Sequence, residues 1–338
     1  TAYTPYQAEM SQGILQAIFE YQTMICNLTG MDVSNASHYS GATAAAEGCI
    51  MSADKVKRVV TFDNINPDVM DVLSTYLTAR GIELVVLDSV DGKAVLPDDI
   101  GIVGAVYCEN PNFYGLIEDT ASIAETCHNN GGKFVLGMNP IAMGLLKSPR
   151  EQGADIAVGE AQPLGLPMSF GGPYIGFMAT TQKEMRKMPG RIVGETVDSE
   201  GNRAYVLTLQ AREQHIRRER ATSNICSNQA LCALTVSVYL ASVGSEGLRH
   251  VAKACTSNAH YLANGLVEKG AKLCFNGEFF HEFVTLTEGK AEEIITALKK
   301  ENILGGLLID ADTILWCCTE KATKESMDKV IEIVGGVL

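Results

Sequence analysis

The chain has 338 residues, 46% of them apolar, which suits a globular protein large enough to split its core and excludes a disordered one. A formal charge of −13, from 40 acidic against 27 basic residues, argues against a nucleic-acid-binding surface. The longest uninterrupted apolar run lies near Gly101–Cys108, far short of the roughly 18 residues of a membrane span.

Residues 5–29 read as an amphipathic helix, because Ile14, Ile18, Tyr21, Ile25 and Leu28 recur at spacings of three and four. Thr4 fits its N-cap, with Pro5 at the first helical position and Gly30 at its end. A second helix follows Gly41, rich in small residues that allow close packing. Strands and helices then alternate. Strands are expected over 59–62, 83–87, 102–107, 133–136, 156–158 and 174–179. Helices are expected over 67–80, closed by Gly81, over 119–130, capped by Asp119, and over 226–243. Short apolar runs between helices imply strands buried on both faces, hence an α/β fold with a mostly parallel sheet.

After Gly247 the rhythm changes. A helix over 248–269, strands over 272–275 and 282–287, a helix over 291–301, a strand over 313–317 and a last helix over 324–334 make a small α+β unit. The expected division is a large domain over 1–246 and a small C-terminal one over 247–338.

Several motifs fail. No two glycines are separated by one residue, which excludes a dinucleotide-binding fingerprint, and no Walker A loop occurs. His281-Glu282 opens a zincin-like pattern, but Thr285 stands where the second histidine belongs, and no metal site is expected. Trp316 sits in an apolar strand and reads as core. The ten cysteines form no regular framework and read as reduced thiols of a cytosolic protein. Seven of the eleven arginines fall between Arg186 and Arg220, four of them within 212–220. They read either as a solvated helix face or as a patch that meets a carboxylate, a phosphate or an acidic partner.

Five segments together resemble the glycine decarboxylase P-proteins of glycine cleavage systems, and among these the N-terminal-type chain (subunit 1) of the two-subunit form. They are YTPYQAEMSQGILQAIFEYQTMICNLTGMDVSNAS (3–37), YSGATAAAE (39–47), GGKFVLGMNPIAMGLLKSP (131–149), GADIAVGEAQPLGLPMSFGGPYIGF (153–177) and RERATSNICSNQALCAL (218–234), with a weaker match in WCCTEKATKESMD (316–328). The resemblance implies the fold of type I pyridoxal-phosphate (PLP) enzymes, aspartate-aminotransferase-like. It also implies a further segment before Thr1, so the chain reads as processed or incompletely represented.

A PLP enzyme of this fold needs a lysine that holds the cofactor's aldehyde as an imine, and an aspartate that keeps the pyridine nitrogen protonated. No lysine occurs between Lys147 and Lys183. Matching AQPLG to the LHKTF-like stretch of the PLP-bearing half puts Pro163 at the lysine position, and Gly137 follows Leu136 where that half has aspartate. No catalytic residue is therefore expected in this chain, and PLP would sit on the partner chain.

The resemblance marks further positions at the active site or subunit interface. Tyr3 and Tyr6 lie in the motif at the subunit contact, and otherwise read as core. Ser40 and Thr43 open a helix that could hold a phosphate or simply be capped. Gly171 and Gly172 form a turn that lies near the cofactor in the active half, or only a turn. Arg220, Thr222, Ser223 and Asn224 belong to the last large-domain segment.

The implied function is that of the non-PLP-bearing subunit of glycine dehydrogenase (decarboxylating), inactive alone. With the PLP-bearing subunit 2 it would form a cytoplasmic heterotetramer that decarboxylates glycine and passes the aminomethyl group to the lipoyl arm of H-protein. No nucleic acid or membrane is involved, and 212–220 is the candidate contact. An independent PLP lyase or transferase and a non-catalytic binding protein on the same scaffold remain as alternatives. Motif 3–37, rich in Tyr, Ile and Phe, suggests a chain that self-associates without its partner.

Overall fold

The computed structural model describes residues 10–338, so Thr4, Pro5 and the start expected for the first helix lie outside the described residues. Helix α1 runs over Gln12–Thr29, shorter than the expected span from residue 5, because Ser11 is extended (φ −126°, ψ 111°) and caps it, its side chain accepting from the Ile14 N–H. Its buried stripe includes Leu15, Ile18, Tyr21 and Ile25, and Gly30 ends it at φ 71°, a left-handed conformation that glycine adopts without strain.

The short strand β1 (Val33–Ser34) leads to α2 (Gly41–Ser52), then β2 (Arg58–Phe62), α3 (Pro67–Ala79), β3 (Glu83–Leu87), β4 (Ala105–Asn110), α4 (Thr120–Asn129), β5 (Lys133–Met138), β6 (Ile156–Glu160) and β7 (Gly176–Thr180). These strands form a seven-stranded sheet in the order β1-β7-β6-β5-β4-β2-β3, parallel from β3 to β6 and antiparallel at β7 and β1. The central strands are buried along nearly their whole length, as continuous apolar runs require. Helix α2 is buried almost throughout; a Cβ on its Gly48 would stand 3.2 Å from Val135 Cγ1, so small residues let the helix lie close against the sheet.

Strand β4 starts later than the sequence suggests. Ile102 is exposed, and the parallel register pairs Ala105 and Val106 with Val59 and Val60. A hairpin of β8 (Ile192–Val197) and β9 (Arg203–Thr208) lies where no strands were expected. Next come the single-turn helix α5 (Gln214–Arg217) and the long α6 (Ala230–Glu268). By length and composition α6 could cross a membrane, but Gly244 (φ 61°, ψ −176°) breaks it, and Ala233, Val236, Ala252 and Ala259 on both sides of the break are fully buried in the protein.

Beyond the break lie β10 (Lys272–Leu273), β11 (Glu282–Leu286), α7 (Ala291–Lys300), β12 (Leu307–Leu308), β13 (Thr313–Cys317) and α8 (Lys324–Val337). The four strands form an antiparallel sheet in the order β10-β11-β13-β12. Trp316 is core as expected, 2% exposed, with its indole N–H donating to Thr285 Oγ1 at 2.8 Å.

Candidate functional site

A cleft opens where β4, β5 and β6 end, at the carboxyl edge of the parallel sheet, the usual ligand position in such folds. Gly137 in β5 lies on its floor. A Cβ there would come within 2.6 Å of Tyr107 Oη, so the tyrosine hydroxyl fills the space that a longer side chain at 137 would need. That hydroxyl donates to Glu109 Oε1 at 2.9 Å, and Glu109 Oε2 accepts from the Asn66 N–H at 2.8 Å. Burial raises the carboxyl pKa of Glu109, against the pull of these two bonds.

Glu160, at the end of β6, reaches the N-terminus of α2. Its Oε2 accepts from the Gly41 N–H at 2.9 Å, and its Oε1 from the N–H groups of Gln162 and Ile175. A carboxylate from the chain itself thus sits where a helix N-terminus would otherwise receive a phosphate. Ser40 and Thr43 form a capping box on the same turn. Glu282, at the start of β11, is the third acid; burial first, and Glu109 second, push its pKa up to about 7.

Among the described residues no lysine or arginine lines this cleft. These residues do not fit PLP. The phosphate would meet carboxylates, position 137 offers no acid to the pyridine nitrogen, and Pro163, exposed in the turn after β6, offers no amine.

A second cavity of about 290 Å³ lies on the other side of α2, lined by His38, Thr43, Glu47, Tyr76, Arg80 and Asn224. Ser223, beside it, donates to Glu47 Oε1 at 2.7 Å, and both residues are buried. Burial raises the Glu47 pKa, while the Ser223 bond and Arg80 oppose the rise. His38 is fully buried with Nε2 2.8 Å from Asn35 Nδ2, and burial pushes its pKa down to about 3.

The expected site residues therefore divide. Thr43, Ser223 and Asn224 meet at the second cavity, and Gly137 lies in the first. Thr222 borders a smaller basic cleft with Arg186, Lys187, Arg212 and Arg217. Gly171 and Gly172 sit on an exposed turn, at φ 108° and 155°, that reaches neither cavity. On that turn Met168 and Phe170 project into solvent. Tyr3 and Tyr6 lie outside the described residues.

The basic stretch is not one helix face. A positive φ at Arg218 separates α5 from the turn that follows. Arg212 is partly buried and donates to the carbonyls of Gly190 and Leu209, whereas Arg217, Arg218 and Arg220 are exposed. Sequence reasoning missed Glu47, Glu109, Glu160 and Glu282. The available signal was a lone acid at the end of, or inside, an otherwise apolar segment, where ionisation is costly and implies a partner or a purpose.

The sequence model described as "Glycine cleavage system P-protein" matches residues 1–334. A protein of Desulfitobacterium hafniense named "Probable glycine dehydrogenase (decarboxylating) subunit 1" is 48% identical over all of this chain and 78% of its own length. A protein of Desulforamulus reducens with the same name is 49% identical over the same shares. The crystal structure of an inhibitor-bound glycine decarboxylase (P-protein) superposes with a TM-score of 0.95 at 44% identity, over 100% of this chain and 79% of that one. An aspartate aminotransferase from Thermus thermophilus, at 13% identity and a TM-score of 0.70, covers 99% of this chain and 94% of its own and shares the fold alone. With the fold of PLP-dependent type I enzymes and a family match from end to end, the chain belongs to the glycine cleavage system P-protein family.

Proposed function

We propose that this chain is the subunit of a glycine dehydrogenase (decarboxylating) that does not carry PLP. The observation that supports it most is the cleft at the sheet edge, in the position of a ligand site but lined by Glu109, Glu160 and Glu282 with no basic side chain among the described residues. PLP, which would supply the electron sink for loss of the glycine carboxylate, then belongs to a partner subunit. This chain contributes rigid scaffold, part of the subunit interface, and a share of the wall around the partner's site.

Tyr3, Tyr6 and the exposed turn with Met168, Phe170, Gly171 and Gly172 are the interface candidates. Arg217, Arg218 and Arg220, with Thr222 beside them, suit an acidic surface of the partner or of lipoyl H-protein. Ser40 and Thr43 hold α2 in place, and Ser223 and Asn224 shape the second cavity. The reading includes a cytoplasmic heterotetramer, with no membrane or nucleic-acid partner, and a division between residues 246 and 247, just past the break at Gly244.

The test is co-expression with a PLP-bearing subunit, followed by a glycine–bicarbonate exchange assay with lipoyl H-protein. The complex is then reduced with borohydride and each chain is weighed. Exchange should need both chains, with the pyridoxyl mass on the partner only. Exchange by this chain alone, or a stoichiometric pyridoxyl adduct on one of its lysines, would overturn the proposal.

A further inference from the structure

At the rim of the acidic cleft, the four-stranded antiparallel sheet brings a histidine, a glutamate and a cysteine together. Glu282 and Cys317 are direct partners across the antiparallel pair β11–β13, so the ladder places their side chains on one face. His281 is held one residue earlier, with its carbonyl accepting from the Cys318 N–H at 2.9 Å. Ligating atoms of His281, Glu282 and Cys317 all lie within 4.8 Å of one another, the one such group of His, Cys, Asp or Glu among the described residues.

The polar arrangement lacks a positive centre. Asn139 Oδ1 accepts from the N–H groups of Ile141 and Ala142, which turns its Nδ2 toward His281 Nε2 at 3.3 Å. The ring nitrogen therefore presents a lone pair. Glu282 Oε2 faces the same nitrogen at 3.7 Å. The Glu282 carboxylate has no hydrogen bond among the described residues, and no lysine or arginine offsets its charge. His281 is 9% exposed, and its other nitrogen, Nδ1, is buried without a partner. Two acceptors and a thiol thus converge, and among the described residues the Asn139 amide is the donor that meets one of them.

We propose that His281, Glu282 and Cys317 bind a divalent transition cation of the zinc class. Imidazole, carboxylate and thiolate together select a borderline cation over magnesium or calcium, which prefer oxygen alone. Three protein ligands leave a fourth tetrahedral position for water on the cleft side. The strand pairing fixes two of the ligands before the metal arrives, and His281 Nε2 exchanges its 3.3 Å contact with Asn139 Nδ2 for the metal. Binding displaces the thiol proton of Cys317, because the thiolate is the metal ligand, so affinity rises with pH. The inference goes beyond the proposed function and is independent of which subunit carries PLP.

The experiment uses the purified chain, stripped with a chelator and titrated with Co²⁺ as a spectroscopic probe. Saturation at one equivalent is expected, with a thiolate-to-cobalt charge-transfer band that Zn²⁺ abolishes on displacement. Cys317→Ser should remove that band. Cys317→Ser, His281→Asn and Glu282→Gln should each weaken binding by more than about 100-fold, since even outer-shell partners are worth 10–100-fold. Cys226→Ser, at an exposed free thiol, should change nothing. If His281→Asn does not fold, Cys317→Ser decides alone, because Cys317 is exposed at a strand end and serine is nearly isosteric. No saturable binding at one equivalent, or a charge-transfer band that survives in Cys317→Ser, would overturn the proposal.

Discussion

Ser223 Oγ donates a 2.7 Å hydrogen bond to Glu47 Oε1, joining the loop before α6 to the middle of α2 across 176 positions of sequence. The bond is buried, and among the described residues this contact and the charge of Arg80 offset the desolvation of Glu47. Ser223→Ala should therefore destabilise the fold by about 1–3 kcal/mol, the cost of a buried acceptor left without its donor. The sign with pH follows from the raised Glu47 pKa, which the substitution raises further. The protonated carboxyl tolerates burial, so the loss should be larger at pH 8 than at pH 5. Urea midpoints at both values measure it, and an equal loss at each would show that Glu47 is not the group concerned.

Gly137 and Tyr107 form a second coupled pair. A Cβ at 137 would stand 2.6 Å from Tyr107 Oη and 3.1 Å from Glu109 Cγ. Gly137→Ala should cost about 1–3 kcal/mol by overpacking a rigid ring. Tyr107→Phe alone should cost about 1 kcal/mol through the lost bond to Glu109. In the double variant the hydroxyl that clashes is gone, so the cost should fall short of the sum of the singles. Strict additivity in thermal or urea unfolding would count against the crowding described.

His38 controls part of the acid response. Its folded pKa of about 3 lies below the ordinary 6.5, so the unfolded chain takes up the proton first. The stability it contributes is complete above pH 6.5 and is lost as the pH falls from there toward 3, at about 1.4 kcal/mol per pH unit. His38→Gln keeps an acceptor for Asn35 and removes the titration. Its stability should fall less steeply than that of the parent between pH 6.5 and 5, and parallel curves would exclude His38 as the source.

The turn with Met168 and Phe170 leaves two large apolar side chains, 84% and 112% exposed, on the protein surface. Replacing both with serine removes apolar area from solvent contact without touching a core residue. The isolated chain should then self-associate less in light scattering at micromolar concentration, and a complex with a partner subunit should weaken. Unchanged scattering together with unchanged assembly would place the interface elsewhere.

Much of the scaffold is legible along the chain because its cause is local. Period marks α1, small residues after Gly41 mark α2, and apolar runs mark the central strands, while Asp119 caps its helix and Gly30 and Gly81 close theirs at positive φ. The β8–β9 hairpin went unread because its alternation is partly exposed and lies within a stretch dominated by arginines. The basic stretch looked like a helix face because charge says nothing of backbone, and a positive φ at Arg218 breaks it.

The sequence by itself determined the family, the alternation of strands and helices, and the absence of any lysine between Lys147 and Lys183, since each depends on residue identity along the chain. Only the tertiary structure decided which side chains line the cleft. Glu109, Glu160 and Glu282 come from three different strands, and they share a cleft because parallel strands end at one edge while a second sheet closes over it. No spacing in the chain records that meeting; the distances between those carboxylates are set by strand order and register, which form only when the core packs.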